Sequence, residues 1–261
     1  MTLIDNLAAG FNFLGDTGLT RWLIMAAVLF GLWRGLAGAG FKSAERMRTW
    51  LAVAIPLLAW SILIWQLALA GVFAARRGAL PLLPVAILAP LPIALVLIMR
   101  SQRIAAALDA MPASWLVGLQ VYRVLGAAFL VQLALGRLSP AFALPAGIGD
   151  VLVGLLALPT AFYLSRNENR GRAVAVAWNA LGILDLIVAI TMGFLSSTGR
   201  LQALGLGSGA GPLAYPLVMI PAFAVPLSLI LHGVSLWQLK RRPSRAAARS
   251  IASAAVAGTA A

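Results

Sequence analysis

The sequence predicts an all-α integral membrane protein, a bundle of about seven transmembrane helices with the amino terminus outside and the carboxyl terminus in the cytoplasm. Three observations carry this reading. Of the 261 residues, 62% are apolar and 10% are charged, against roughly 45–50% and about 25% in soluble domains. The apolar residues run in uninterrupted blocks of about twenty, the length that crosses a ~30 Å hydrocarbon core at 1.5 Å per residue. The Lys and Arg of the connecting segments divide thirteen to four between alternate sides of those blocks, which by the positive-inside rule makes the richer side cytoplasmic.

The elements follow in order. Residues 1–18 carry Asp5 and Asp16 and no Lys or Arg, unlike the positive opening of a cleavable signal peptide. Leu3, Leu7, Phe11 and Leu14 recur there at helical spacing, as in an amphipathic helix lying on the outer surface. The seven expected spans are 19–38, 51–74, 80–99, 115–136, 142–164, 173–195 and 213–238. Trp22, Trp33, Trp50, Trp115 and Trp237 fall near their ends, where amphipathic rings favour the headgroup layer.

In the first span Ala27, Gly31 and Gly35 form a small-residue ridge, usable for packing within the bundle or for a homo-oligomer. The third carries Pro81, Pro84, Pro90 and Pro92, the seventh Pro216, Pro221 and Pro226. Each interior proline removes a backbone hydrogen bond, so both helices are expected to bend. The alternating glycines from Gly205 to Gly211 read as a flexible linker, since no strand precedes them and no Lys follows. The transmembrane domain thus covers 19–239. Residues 240–261 form a basic, Ala/Ser-rich tail, expected to be disordered, with Lys240, Arg241, Arg242, Arg245 and Arg249 attracted to anionic lipid headgroups.

Several chemistries are excluded by what is missing. The chain has no Cys, which removes thiolate metal sites, iron–sulfur clusters and covalent haem attachment. His232 is the sole histidine, leaving no bis-His haem and no His-based metal site. The only lysines are Lys42 and Lys240, neither placed to form a retinal Schiff base within a helix. No cofactor is expected. The net charge of +13 is orientation chemistry rather than a nucleic-acid face.

What remains is a charged layer. Arg123 lies eight positions in from the cytoplasmic end of the fourth span and Asp150 eight in from the outer end of the fifth, about 12 Å from each end. Asp185 is near the centre of the sixth. A charge at the bilayer centre costs roughly 2.5–3.5 kcal/mol on insertion scales, so the three are expected to face one another. Small residues flank both aspartates: Gly147, Gly154 and Ala157 around Asp150, Gly182 and Ala189 around Asp185. Such stripes mark faces turned toward other helices.

Gln120, Asn179 and His232 lie toward the cytoplasmic side and either bind helices together or form a polar path from the layer. One Arg and two Asp cannot all be ionised and balanced, so one carboxyl is available to carry a proton. Asp150, on the adjoining span, is the expected partner of Arg123, and Asp185 the proton carrier. Two facing aspartates are also the minimum for intramembrane proteolysis, but Arg123 would hold both ionised, which disfavours an enzyme. The expected function is a small carrier for an organic or lipid-like solute in a bacterial-type cytoplasmic membrane. The alternative is a seven-helix sensor or accessory subunit.

Overall fold

The computed structural model describes residues 2–16, 18–74, 82–197, 200–203 and 213–241. Seven helices are long and apolar enough to span a membrane, at Leu19–Gly38, Ser43–Leu69, Leu82–Arg100, Ala113–Ala134, Pro140–Arg166, Asn169–Ser196 and Ile220–Arg241. The protein is therefore a multi-pass helical membrane protein. The expectations for Arg76, Arg77, Pro81, the linker Gly205–Gly211 and residues 242–261 of the tail concern positions outside the described residues.

Helix α1 (Leu3–Asp16) precedes the first span. Its start is closed by a reciprocal cap: the Thr2 N–H and hydroxyl donate to Asp5 Oδ2 at 2.8 Å, and the Asp5 N–H donates to Thr2 Oγ1 at 3.2 Å. That geometry satisfies backbone donors left over at a helix start. Leu3 and Leu7 are exposed while Ala8 is buried. The first span is Leu19–Gly38, here α2. The second, α3, runs Ser43–Leu69, beginning eight residues before the apolar block because Glu45 and its neighbours continue the helix past the hydrophobic edge. It ends at Leu69, and Gly71 just beyond takes the left-handed φ of +66° that closes a helix.

The third span is broken into α4 (Leu82–Leu88) and α5 (Pro90–Arg100). The break falls where Pro90 and Pro92 lack the N–H that would continue the ladder. Ser101 then caps α6 (Gln102–Ala110), accepting from the Ile104 N–H at 3.3 Å. This short helix was not expected from the sequence, since nine residues of mixed polarity lie below the length of a span. It lies along the first span, where Gly35 faces Ala107 and Met111, and Gly31 faces Trp115 and Met111. The small-residue ridge is thus used inside one chain.

The fourth span is not a uniform α-helix. It comprises α7 (Ala113–Gly118), a 3₁₀ stretch over Leu119–Gly126 and α8 (Ala127–Ala134). The fifth, α9 (Pro140–Arg166), is continuous and packs along the fourth and the sixth, α10 (Glu168–Ser197). A short turn of helix, α11 (Arg200–Ala203), follows. The seventh span opens with a π-helical turn, Ile220–Ala224, followed by α12 (Val225–Arg241). Residues 213–218, expected to be helical, form a bend and turns instead, since Pro216 and Pro221 supply no backbone donors there.

The burial pattern separates lipid boundary from core. Only 6% of the third span is buried, against 56% of the seventh and 50% of the fourth. The fourth, fifth and seventh spans are thus the most interior, and the exposed Leu, Ile and Val of the third face outward.

Candidate functional site: a buried arginine with two aspartates

The 3₁₀ stretch of the fourth span sets Arg123 into the interior, 3% exposed. Close helix approach makes room for it. A Cβ added at Gly154 would lie 2.5 Å from the Val124 backbone nitrogen and 3.0 Å from the Arg123 carbonyl carbon. A Cβ at Gly126 would collide with Asp150, one at Gly149 with Asp185, and one at Gly182 with His232. Four glycines on three helices are thus the places where these backbones can meet.

Arg123 brings the three expected charges together, and it takes both carboxylates rather than one. Its Nε donates to Asp150 Oδ1 at 2.8 Å, and Nη2 approaches the same oxygen at 2.8 Å. Nη2 also donates to Asp185 Oδ2. The expected division into one partner and one separate proton carrier is therefore not the geometry of the site. Nη1 reaches the Gly182 carbonyl oxygen at 3.3 Å and His232 Nε2 at 3.2 Å. The guanidinium thus makes four hydrogen bonds and two ion pairs with protein groups.

The contacts on the far side of His232 fix its role. His232 Nδ1 lies 2.9 Å from Asn179 Oδ1, and Asn179 Nδ2 donates to the Ala175 carbonyl at 2.8 Å and to Ser235 Oγ at 3.0 Å. Since the Asn179 oxygen can only accept, Nδ1 carries the hydrogen and Nε2 accepts from Arg123. Trp178 covers the ring with centroids 5.0 Å apart, itself anchored by its Nε1–H to the Val153 carbonyl at 3.0 Å. Spans four and five contribute one member each, and spans six and seven two each, to a continuous chain: Asp150 and Asp185, Arg123, His232, Asn179, Ser235.

Gln120, expected beside this chain, is fully buried, and neither of its amide atoms has a hydrogen-bond partner. It does not join the cluster. Further along, Gln238 is fully buried and donates to the carbonyls of Met111, at 2.7 Å, and Leu108. Ser228, His232, Ser235 and Gln238 follow one another at intervals of four, three and three. That spacing is one face of a helix, and it was the overlooked sequence signal for Ser228, Ser235 and Gln238.

On the opposite side of Arg123 lies a cavity of about 500 Å³. Arg123 and Asp150 form its inner end, and Phe11, Leu14 and Gly15 of α1 line its end at the amino-terminal side of the bundle. Its wall includes the non-α segments of the fourth and seventh spans, at Leu125, Gly126, Ile220, Phe223 and Ala224. Tyr122 and Ser228, joined at 2.7 Å, also line it, and Tyr215 ties α1 in place through the Gly15 carbonyl at 3.2 Å. Arg21 stands in the wall between Trp22 and Trp65, at 4.7 and 4.8 Å from the two ring centroids. The sequence reading did not single out Arg21, although an arginine within an apolar block beside a tryptophan is itself a signal.

The site falls within a recognised sequence family. Residues 80–240 match the family described as Domain of unknown function (DUF8737). The chain belongs to the DUF8737 family. The matched region spans the third to seventh helices and holds every member of the Arg123 chain, whereas Arg21 and α1 precede it. No curated protein and no solved structure matches this DUF8737 chain.

Proposed function

We propose that this DUF8737 protein is a small carrier for an organic or lipid-like solute, coupled to protons through the Arg123, Asp150 and Asp185 layer, in a bacterial-type cytoplasmic membrane. One observation carries the reading. The cavity ends inward at Arg123 and Asp150, and from the same arginine a hydrogen-bonded chain runs through His232, Asn179 and Ser235 toward the Lys/Arg-rich side. A solute-sized space on one side of a charged layer, with packed polar groups on the other, is what one half of an alternating-access cycle requires. The 3₁₀ and π segments in the cavity wall supply backbone that rearranges more readily than a regular α-helix.

Charge counting supports the coupling. With both carboxylates ionised the layer carries one excess negative charge, and with one protonated it is neutral. A solute that disturbs the Arg123 contacts alters which state is preferred. The thirteen-to-four split supports an outward-facing cavity mouth.

The deciding experiment is proton uptake into proteoliposomes while candidate organic solutes are added to the cavity side. The carrier reading expects solute-dependent flux that is lost when either Asp150 or Asp185 is replaced by Asn. Solute-induced thermal stabilisation without flux would replace it with the sensor reading, which one observation favours: the Arg123 guanidinium is held on every nitrogen by protein groups.

A further inference from the structure

We infer that the cavity takes an amphipathic organic monoanion, a carboxylate on an apolar body, and that Arg21 is the residue that reads its charge. This deepens the ligand-binding part of the proposed function and rests on it. The argument begins with charge in the cavity wall. Three guanidiniums line it, those of Arg21, Arg123 and Arg137. Arg123 is neutralised by Asp150 and Asp185. Among the described residues neither Arg21 nor Arg137 forms an ion pair.

The two free cations differ. Arg137 is exposed at the mouth and donates to Gln132 Oε1 at 3.3 Å. Arg21 is 7% exposed, in the third position of a membrane span. Its Nη1 reaches the Ser61 carbonyl at a long 3.3 Å, and its buried Nε has no hydrogen-bond partner. An arginine inside a span is costly unless its charge is compensated. Two tryptophan faces compensate part of that cost, since cation–π attraction strengthens when the cation is desolvated. They also fix the guanidinium plane, leaving its edge as the place for an acceptor. Nε and Nη2 together form the side-on edge that matches a carboxylate, and Nη2 lies against Gly18, where an added Cβ would come within 3.2 Å.

The rest of the cavity selects the body of the ligand. Phe11, Ile24, Trp65, Leu186 and Phe223 make its walls largely apolar. At the inner end the guanidinium of Arg123 is already paired and attracts no second anion. A molecule with one charge near Arg21 and an apolar body extending toward the layer satisfies every wall, whereas a cation meets two unbalanced guanidiniums and a neutral alcohol leaves Arg21 unpaired.

The test is direct binding to the intact chain in nanodiscs of zwitterionic lipid, with radiolabelled decanoate, decanol and decyltrimethylammonium as probes. The expected result is saturable decanoate binding at least about tenfold tighter than that of decanol, with no binding of the cation. Arg21→Gln should erase the preference for decanoate over decanol, and Arg21→Lys should keep part of it. Equal affinities for decanoate and decanol in the wild type overturn the inference, and so does an undiminished preference in Arg21→Gln. If Arg21→Gln does not fold, the wild-type ratio together with its loss or retention in Arg21→Lys decides. Decanoate binding without proton flux in proteoliposomes would remove the carrier reading and leave this inference standing. Flux driven by solutes that carry no negative charge would do the reverse.

Discussion

At the scale of single residues, the molecule is organised around one fully satisfied arginine. Arg123 has two carboxylates, a histidine and a carbonyl within reach, and its side chain is 2% exposed. Replacing it by Ala leaves two buried carboxylates facing each other without a cation. Breaking buried pairs of this kind typically costs about 3–5 kcal/mol, so Arg123→Ala should lower the melting temperature sharply in detergent. The aspartates should behave as a pair rather than as separate actors. Asp150→Asn or Asp185→Asn alone leaves Arg123 one anion and a neutral balance, while the double substitution strands the guanidinium. Thermal melts of the two single mutants and the double mutant should therefore show a loss in the double that exceeds the sum of the singles. Additive losses would mean that the two carboxylates do not share the arginine.

At the scale of elements, the glycines that admit the cluster should be distinguishable from the one that does not. Gly154→Ala pushes a methyl against the backbone of the fourth span at Val124 and Arg123, and overpacking of this sort costs about 1–3 kcal/mol. Gly233→Ala, on the seventh span, meets nothing within 4 Å and should be neutral or stabilising, by up to about 1 kcal/mol. Chemical denaturation of the two variants in the same detergent checks the contrast. A second element-scale expectation concerns α1, which the Tyr215 hydroxyl joins to the seventh span through the Gly15 carbonyl. Tyr215→Phe should raise hydrogen exchange within Leu3–Gly15 while leaving the protection of α9 and α10 unchanged. Uniform protection in all three helices would mean that α1 is held by packing alone.

At the scale of the whole molecule, an odd number of spans implies termini on opposite sides, and the distribution of Lys and Arg carries the expectation that the amino terminus is outside. Reporter fusions after Gly10, Gly78, Glu168 and Arg245 should report outside, outside, cytoplasm and cytoplasm. A cytoplasmic signal at Gly10 with an external one at Arg245 would invert the bundle and place the cavity mouth inside. The basic side also has pairings of its own, Arg241 with Asp109 at 3.0 Å and Arg103 with Glu45 at 3.8 Å, all exposed. Such contacts contribute little to stability in water.

By itself the amino-acid sequence determined the number of spans, their approximate limits and the presence of three charges at one depth. Block length and charge placement are properties of the chain read against a slab of known thickness, and no partner needs to be known for them. Asp150 and Asp185 were legible as inward-facing because glycines share their helix faces. Tertiary structure decided what those faces meet. Arg123 proved to hold both aspartates at once, His232 and Asn179 to continue the chain, and Gln120 to stand apart, because hydrogen-bond partners come from helices 27 to 109 positions away in sequence. The ridge at Gly31 and Gly35 was readable as a packing surface, but that it receives Met111 and Trp115 depended on the unforeseen helix at Gln102–Ala110. The cavity was invisible for the same reason: its walls come from α1 and six of the seven spans, and the space that they leave is fixed by how the helices pack rather than by any one of their sequences.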